Sequence, residues 1–500
     1  MAVLTRRRAV LAMGVLATYQ FLHAFDPSSS FIVQIAQSLG LTNKEYYAVV
    51  APFRAWFLLP GIVVAGLTFE LLGYRASLLV LGSVLTVQEV LRALAVALHR
   101  GHDTSLRLLE AAAGVGGIAF SGGFIVNCGM FSLLPTSYYA AASSANSIAM
   151  MVGSLVSSFA GQGLVHVLPE IGQTVYVALA LVAGSVVLVL AAMCARVLPP
   201  LRNVLAPREW ARRAWRRTVF YHSSSEVLEW SAFNAVVLAT HTLVKGMWKS
   251  LFADIDPAAG KLNNGLINGI TCGAAALAML ALSLLPRATA AVARPVLCLF
   301  PLVSAAIFVG MAYAPSVLVG TVLLVAYNAA SECALVMSSV MMATSMSQAE
   351  DARLRARLAP DDTEYSTFAN KAINHSPSVD AGAAPAGAVS DAPASAAPSE
   401  EGSAVVTTRP DEGKSSSSSN SDEPANDGVA KQKKLVDFAL MFTLNSIISI
   451  LVQDLFNVVA IYVLNLNSRE WFIGFAAVGC SLSSCVIASS IVKACRKSKK

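Results

Sequence analysis

Charge is what this chain lacks most. Only 13% of its 500 residues are Asp, Glu, Lys or Arg, where an ordinary soluble domain carries about one quarter. Together with a hydrophobic content of 55%, that scarcity excludes a fold built for water. Cysteine is sparse and poorly placed for chemistry. The eight cysteines (Cys128, Cys194, Cys272, Cys298, Cys333, Cys480, Cys485 and Cys495) lie almost entirely in apolar stretches, with no Cys-x-x-Cys pair and no histidine at ligand spacing. They read as small apolar packing residues, not as a disulfide or metal framework. No GxxxxGK[ST] loop is present and no soluble segment is large enough to house one, which excludes an ATP-driven pump. The GxSxG and HExxH patterns are missing as well, so neither an enzyme nor a cofactor is expected, and nothing suggests a nucleic-acid partner.

What is present is a series of apolar blocks of about twenty residues, the length a helix needs to cross ~30 Å of hydrocarbon. Blocks fall near 9–31, 46–70, 76–98, 107–134, 138–166 and 171–197, and again near 228–252, 263–285, 293–313, 316–345, 436–464 and 470–493. The expected fold is therefore all-α and polytopic, with about twelve lipid-embedded transmembrane helices. The opening run after Arg6, Arg7 and Arg8 resembles a secretory signal. With many spans behind it and no clear cleavage site, it reads as an uncleaved first helix.

Basic residues set the orientation. Arg6 to Arg8, Arg75, the link with Arg202, Arg208, Arg212, Arg213, Arg216 and Arg217, the pair Arg287 and Arg294, and the tail Lys493 to Lys500 all fall on one side. His99, Arg100 and Lys261 are minor exceptions. Both termini are expected in the cytoplasm, and a plasma membrane is the default location. The basic link divides the chain into a first six-helix bundle, 1–197, a linker, 198–227, and a second bundle made of 228–345 and 435–500. Residues 346–434 are rich in Ala, Ser, Pro and acids, so they are expected to be a disordered cytoplasmic loop open to a cytoplasmic partner. The sequon at Asn374 lies inside it and should carry no sugar.

An ionised side chain at mid-bilayer costs about 2.5 to 3.5 kcal/mol on insertion scales, so such residues pair, face a wet path, or act on a solute. Asp26, Arg54, Glu89, Glu332 and Asp454 are of this kind. Glu89 and Arg92 are i, i+3 neighbours and are expected to pair locally, while Arg54 and Asp26 could pair between neighbouring helices. Lys245 and Lys249 are expected to snorkel to the outer end of span seven. Glu332 and Asp454 have no basic residue within a turn, which points to a solute-facing or proton-carrying role. In HAFDPSSSF, Pro27 should break the first span, with three serines replacing the lost hydrogen bonds. The glycine-rich GVGGIAFSGGF of span four reads as a close-packing face.

Several short segments carry a further likeness: Trp230-Ser231 with Phe233, Asp256-Pro257 and Asn264-Gly265; Pro52, Trp56, Glu70, Tyr74 and Gly82; Ala439 to Phe442 with Asn445 and Gln453; Asp26-Pro27 with Phe31; and Phe131-Ser132-Leu133. With them the chain resembles the folate and thiamine carrier family, solute carrier family 19, within the major facilitator superfamily. The resemblance implies two six-helix bundles around a central path, alternating access, and a water-soluble vitamin as substrate. Positions that are basic in folate carriers match near Gly123, at Asn328 and at Gln453 here, and glutamine at the last is what thiamine carriers show. The glutamates that thiamine carriers use match Ser29 and Gly122 or Gly123. Glu89 stands where the family has tryptophan, and Arg54 where thiamine carriers have an aromatic. The resulting expectation is a thiamine carrier with Asp26, Ser29, Phe31, Arg54, Trp56, Glu89, Asn328, Glu332, Gln453 and Asp454 at the binding site. Alternatives are a reduced folate carrier, a carrier of another organic cation, and a non-transporting receptor or scaffold. An Arg54 left without a carboxylate would favour an anion.

Overall fold

The computed structural model describes residues 6–42, 45–98, 101–134, 138–168, 172–194, 224–256, 263–284, 286–358, 444–456 and 466–481, with a few isolated positions between them. Among the described residues the secondary structure is helical throughout, with no strand. In chain order the helices are α1 (Arg6–His23), α2 (Ile32–Ser38), α3 (Ala51–Ala97), α4 (His102–Phe120), α5 (Gly122–Leu133), α6 (Tyr139–Val167) and α7 (Gln173–Cys194). They continue with α8 (Ser225–Ile255), α9 (Asn264–Ser283), α10 (Pro286–Ala312) and α11 (Val317–Leu358), then α12 (Leu444–Phe456) and α13 (468–481). Each apolar block read from the sequence overlaps described helix, and among the described residues five helices have the length and apolarity to cross a membrane. The protein is an all-α polytopic membrane protein.

Two of the predicted spans are joined in α3. Gly73 breaks it with φ 76° and ψ 177°, a backbone conformation that side chains bearing a Cβ rarely adopt. The helix thus kinks at one residue, and the second span runs from Gly73 to Ala97. Conversely, span four is interrupted at Ser121 between α4 and α5, and span one between α1 and α2, where Ser29–Phe31 form a 3₁₀ turn.

The helices approach closely through small residues, as expected where lipid supplies no hydrophobic drive between them. A Cβ on Gly117 of α4 would collide with the carbonyl oxygen of Arg54, and one on Gly61 would sit 2.7 Å from the Ile118 Cα. Span four is therefore a close-packing face against α3. The two halves meet in the same way. Gly265, Gly269 and Gly273 recur every fourth residue on α9 and face Ser158, Phe159 and Leu155 of α6. There the Asn268 amide donates to Ser158 Oγ at 2.7 Å and the Leu266 N–H donates to Gln162 Oε1 at 3.3 Å. Elsewhere the C-terminal half is filled by aromatics, with Phe308 against Tyr327 at 4.7 Å between centroids and Phe472 against Phe475 at 5.4 Å.

The chain divides into one large unit, 1–350 with 427–500, and a second, Asp351–Asn426. Helix α11 continues through 346–358, where the sequence predicts the start of a loop. The run QAEDARLRARL explains it: Ala, Glu, Arg, Gln and Leu are all strong helix formers. Residues 359–441 are outside the described residues, and with them most of the expected loop and Asn374.

Candidate functional site

The break in span one organises the first charged cluster. Proline denies a hydrogen bond to the helix, and Asp26 repairs the end of the ladder. Its Oδ1 accepts from the Ser28 N–H at 3.0 Å, the Ser28 hydroxyl at 2.6 Å and the Ser29 N–H at 3.1 Å. The Ser29 hydroxyl donates to the Asp26 carbonyl at 2.7 Å. Two of the three serines, Ser28 and Ser29, thus supply replacement bonds, whereas the buried Ser30 hydroxyl has no partner among the described residues. The Ser29 carbonyl faces the other half, where Lys249 Nζ donates to it at 3.0 Å.

Arg92 holds both carboxylates of this cluster. Its Nη1 lies 2.7 Å from Asp26 Oδ2, 2.7 Å from Glu89 Oε1 and 3.3 Å from Ser28 Oγ. The local pairing of Glu89 with Arg92 is present, but Arg92 also reaches span one and takes the partner that the sequence offered to Arg54. Glu89 is fully buried, and the Gln88 amide donates to its Oε1 at 3.1 Å. Among the described residues, Glu89 Oε2 has no hydrogen-bond partner.

Arg54 is consequently left over. Among the described residues no carboxylate lies within ion-pair distance of it, and its guanidinium stands 5.1 Å from the centre of the Phe120 ring. The side chain is accessible, yet the charges of Arg92, Asp26 and Glu89 are all felt there. The charges of Arg54 and Asp26 are in turn felt at Lys249, whose ammonium stands 5.8 Å from the centre of the Trp248 ring. Among the described residues, three cations (Arg54, Arg92 and Lys249) thus share the region with two carboxylates (Asp26 and Glu89), an excess of one positive charge.

A second cluster lies in the C-terminal half. Glu332 Oε1 is 3.1 Å from His241 Nε2 and 3.4 Å from Lys245 Nζ. His241 Nδ1 is 2.8 Å from Ser331 Oγ, and the Ser331 hydroxyl donates to the Asn328 carbonyl at 3.0 Å. Asn328 itself is buried and directs its amide at the Thr271 carbonyl, 3.4 Å away. Glu332 therefore has a basic partner after all, on another helix and 87 positions away in sequence. Lys245 and Lys249 do not reach past the end of span seven as predicted. They turn inward, because His241, Lys245 and Lys249 are spaced by four residues and share one face of α8.

The remaining candidates stand apart. Trp56 is 56% exposed and packs on Phe53 at 5.5 Å; two residues from Arg54, it is about 200° away around the helix. Phe31 is buried in an apolar cluster with Ile35 and Leu39. Gln453 and Asp454 on α12 are half-buried, with no hydrogen bond or ion pair among the described residues. At Gly122 and Gly123 an added Cβ would meet Tyr19 Oη at 2.9 Å and Gln20 Nε2 at 3.3 Å, so span one fills the place of a span-four carboxylate. Sequence reasoning missed His241 and misjudged Lys245 and Lys249. Their four-residue spacing on an otherwise apolar span was the available signal.

No family model and no curated protein matches the sequence. Solved structures do match its fold. The human organic anion transporter MFSD10 (TETRAN) superposes with a TM-score of 0.59 over 96% of this chain and 100% of its own, at 11% identity. The transporter FucP in its outward conformation gives 0.56 over 96% and 99%, at 12% identity. The nucleoside transporter NupG gives 0.52 over 95% and 99%, at 13% identity. The chain has the fold of the major facilitator superfamily.

Proposed function

We propose that the chain is a secondary transporter which carries a small organic anion between its two halves by alternating access. The observation that carries this reading is Arg54, which has no carboxylate within ion-pair distance among the described residues because Arg92 holds both Asp26 and Glu89. Lys249 supports it from the opposite half, where its hydrogen-bond partner among the described residues is a neutral carbonyl. A unit charge ~4 Å from an opposite one gains about 4 kcal/mol at an effective dielectric of ~20, so the sign of the excess charge selects the sign of the solute. The Phe120 ring stands beside Arg54 and the buried Trp248 ring beside Lys249, so each cation has an aromatic neighbour. The fold, shared with transporters that include an organic anion carrier, favours a carrier over a receptor or scaffold.

Of the vitamins raised by the sequence resemblance, the anionic reduced folates suit this charge and the cation thiamine does not. Cells expressing the chain should accumulate at least one of labelled p-aminohippurate, benzoate and 5-formyltetrahydrofolate, and should lose that uptake with Arg54→Met or Lys249→Met. Accumulation of thiamine with none of the three anions would overturn the reading.

A further inference from the structure

We infer that, whatever the solute carried, the link between spans six and seven is a membrane-surface element whose arginine face binds the headgroups of anionic phospholipids. Residues 198–221 carry six arginines against one carboxylate, Glu209. At ~100° per residue, Arg208, Arg212, Arg213, Arg216 and Arg217 fall in one half of a helical wheel, and Trp210, Ala211, Ala214 and Tyr221 fall in the other. Basic residues on one face with tryptophan and other apolar groups on the opposite one are the pattern of a helix that lies in a membrane interface.

The described residues of this stretch, Arg212, Arg216, Val219, Phe220 and Tyr221, are helical and fit that pattern. Arg212, Arg216 and Val219, spaced by four and three, share one face, and all three are exposed. Neither arginine forms an ion pair among the described residues. Tyr221, on the other side, is buried in the apolar core that holds Val227 and Met346, and its hydroxyl donates to Glu350 Oε2 of α11 at 2.8 Å. That anchor turns the basic face outward. The chain also fixes its depth: α8 begins at Ser225, four residues past Tyr221, so Arg212 and Arg216 are tethered close to the end of a span. A guanidinium matches two phosphate oxygens with parallel N–H donors, and the excess of positive charge selects headgroups with a net negative charge. The exposed Val219 between them and the span favours a lipid over a soluble anion, because an apolar side chain gains from leaving water and nothing from a dissolved ion.

The test uses the purified full-length chain in phosphatidylcholine bilayers with a trace of spin-labelled phosphatidylserine or spin-labelled phosphatidylcholine. Electron spin resonance reads the fraction of each label held at the protein. Phosphatidylserine should be preferred about fivefold, the effect of one arginine near an anionic headgroup, and the preference should shrink in about 0.5 M salt. Replacing Arg212, Arg213, Arg216 and Arg217 together by glutamine should remove most of it, whereas replacing Arg6, Arg7 and Arg8 together should leave it. Should the four-site variant fail to fold, Arg212→Gln with Arg216→Gln should still lose at least about half of the preference. Equal holding of the two labels by wild type, or a preference unchanged in the linker variants, overturns the inference. A preference abolished by inorganic phosphate, but not by chloride at the same ionic strength, assigns the face to a soluble anion and overturns it as well.

Discussion

Lys249 donates to the carbonyl oxygen of Ser29 at 3.0 Å, a hydrogen bond from the C-terminal half to the broken turn of the first span. It holds a cation next to the proposed anion site without neutralising it. Lys249→Met is expected to lower the uptake of a transported anion about tenfold or more, with Tm nearly unchanged, because a bond to a neutral carbonyl contributes only ~1 to 3 kcal/mol to folding. Radiolabel uptake and a melting curve on the same preparation check both halves of the statement.

Arg92 plays the opposite part, since two carboxylates depend on it. Its side chain is 11% exposed, and removing it leaves Asp26 and Glu89 facing each other without a counter-charge. Arg92→Met should destabilise by about 3 to 5 kcal/mol, the range seen when one partner of a buried pair is deleted. Adding Glu89→Gln should restore part of that loss. Denaturation of the single and double variants measures it, and a double variant no better than the single would show that the carboxylates do not repel.

The backbone that carries Arg54 rests on Gly117, whose added Cβ would collide with the Arg54 carbonyl and lie 2.9 Å from the Leu58 nitrogen. Both atoms are backbone and cannot rotate away. Gly117→Ala is therefore expected to cost about 1 to 3 kcal/mol by overpacking, and to weaken anion affinity by moving Arg54. Gly14→Ala, with open space around the Cβ, is the control and should be silent in both assays.

At one end of the bundle, outside the spans, His102 Nε2 lies 3.1 Å from Glu45 Oε1. Hydrogen bonds from the Thr42 N–H and hydroxyl hold the Glu45 carboxyl below its usual range, and hydrogen bonds to Asp103 and Glu45 raise the His102 imidazole above 6.5. A raised histidine contributes stability that is full below pH 6.5 and fades as pH climbs through the folded value. The depressed Glu45 contributes above about pH 4.5 and loses this as pH falls. The Tm difference between wild type and His102→Gln should hence be positive near pH 6 and vanish by pH 8.5. A difference that grows with pH would contradict the sign. Both groups are exposed, so the effect is small and weakened by salt.

The fold was legible because lipid imposes a length. Runs of about twenty apolar residues have few alternatives to a spanning helix, and Pro27 marks the break in span one on chemical grounds alone, whereas the kink at Gly73 was not read. The candidate site was half legible. Asp26, Arg54, Glu89 and Glu332 stood out as charges in the wrong solvent, and Glu89 found the i, i+3 partner its spacing offered. The choice between partners on different helices was hidden. Arg92 reaches Asp26 across 66 positions and Lys245 reaches Glu332 across 87, and helix periodicity gives the face of a residue but not the neighbour it meets. That choice is what turns the proposed substrate from a cation to an anion, since it is Arg92 and not Arg54 that pairs with the carboxylates.

The most direct test of the account is the charge preference of the purified protein. Equilibrium binding of p-aminohippurate and of thiamine is measured on wild type and on Arg54→Glu. The account predicts that wild type binds the anion and not thiamine, and that Arg54→Glu weakens the anion by about a hundredfold or more, several kcal/mol of lost attraction. Thiamine binding to wild type, or an anion affinity unchanged by Arg54→Glu, would contradict it.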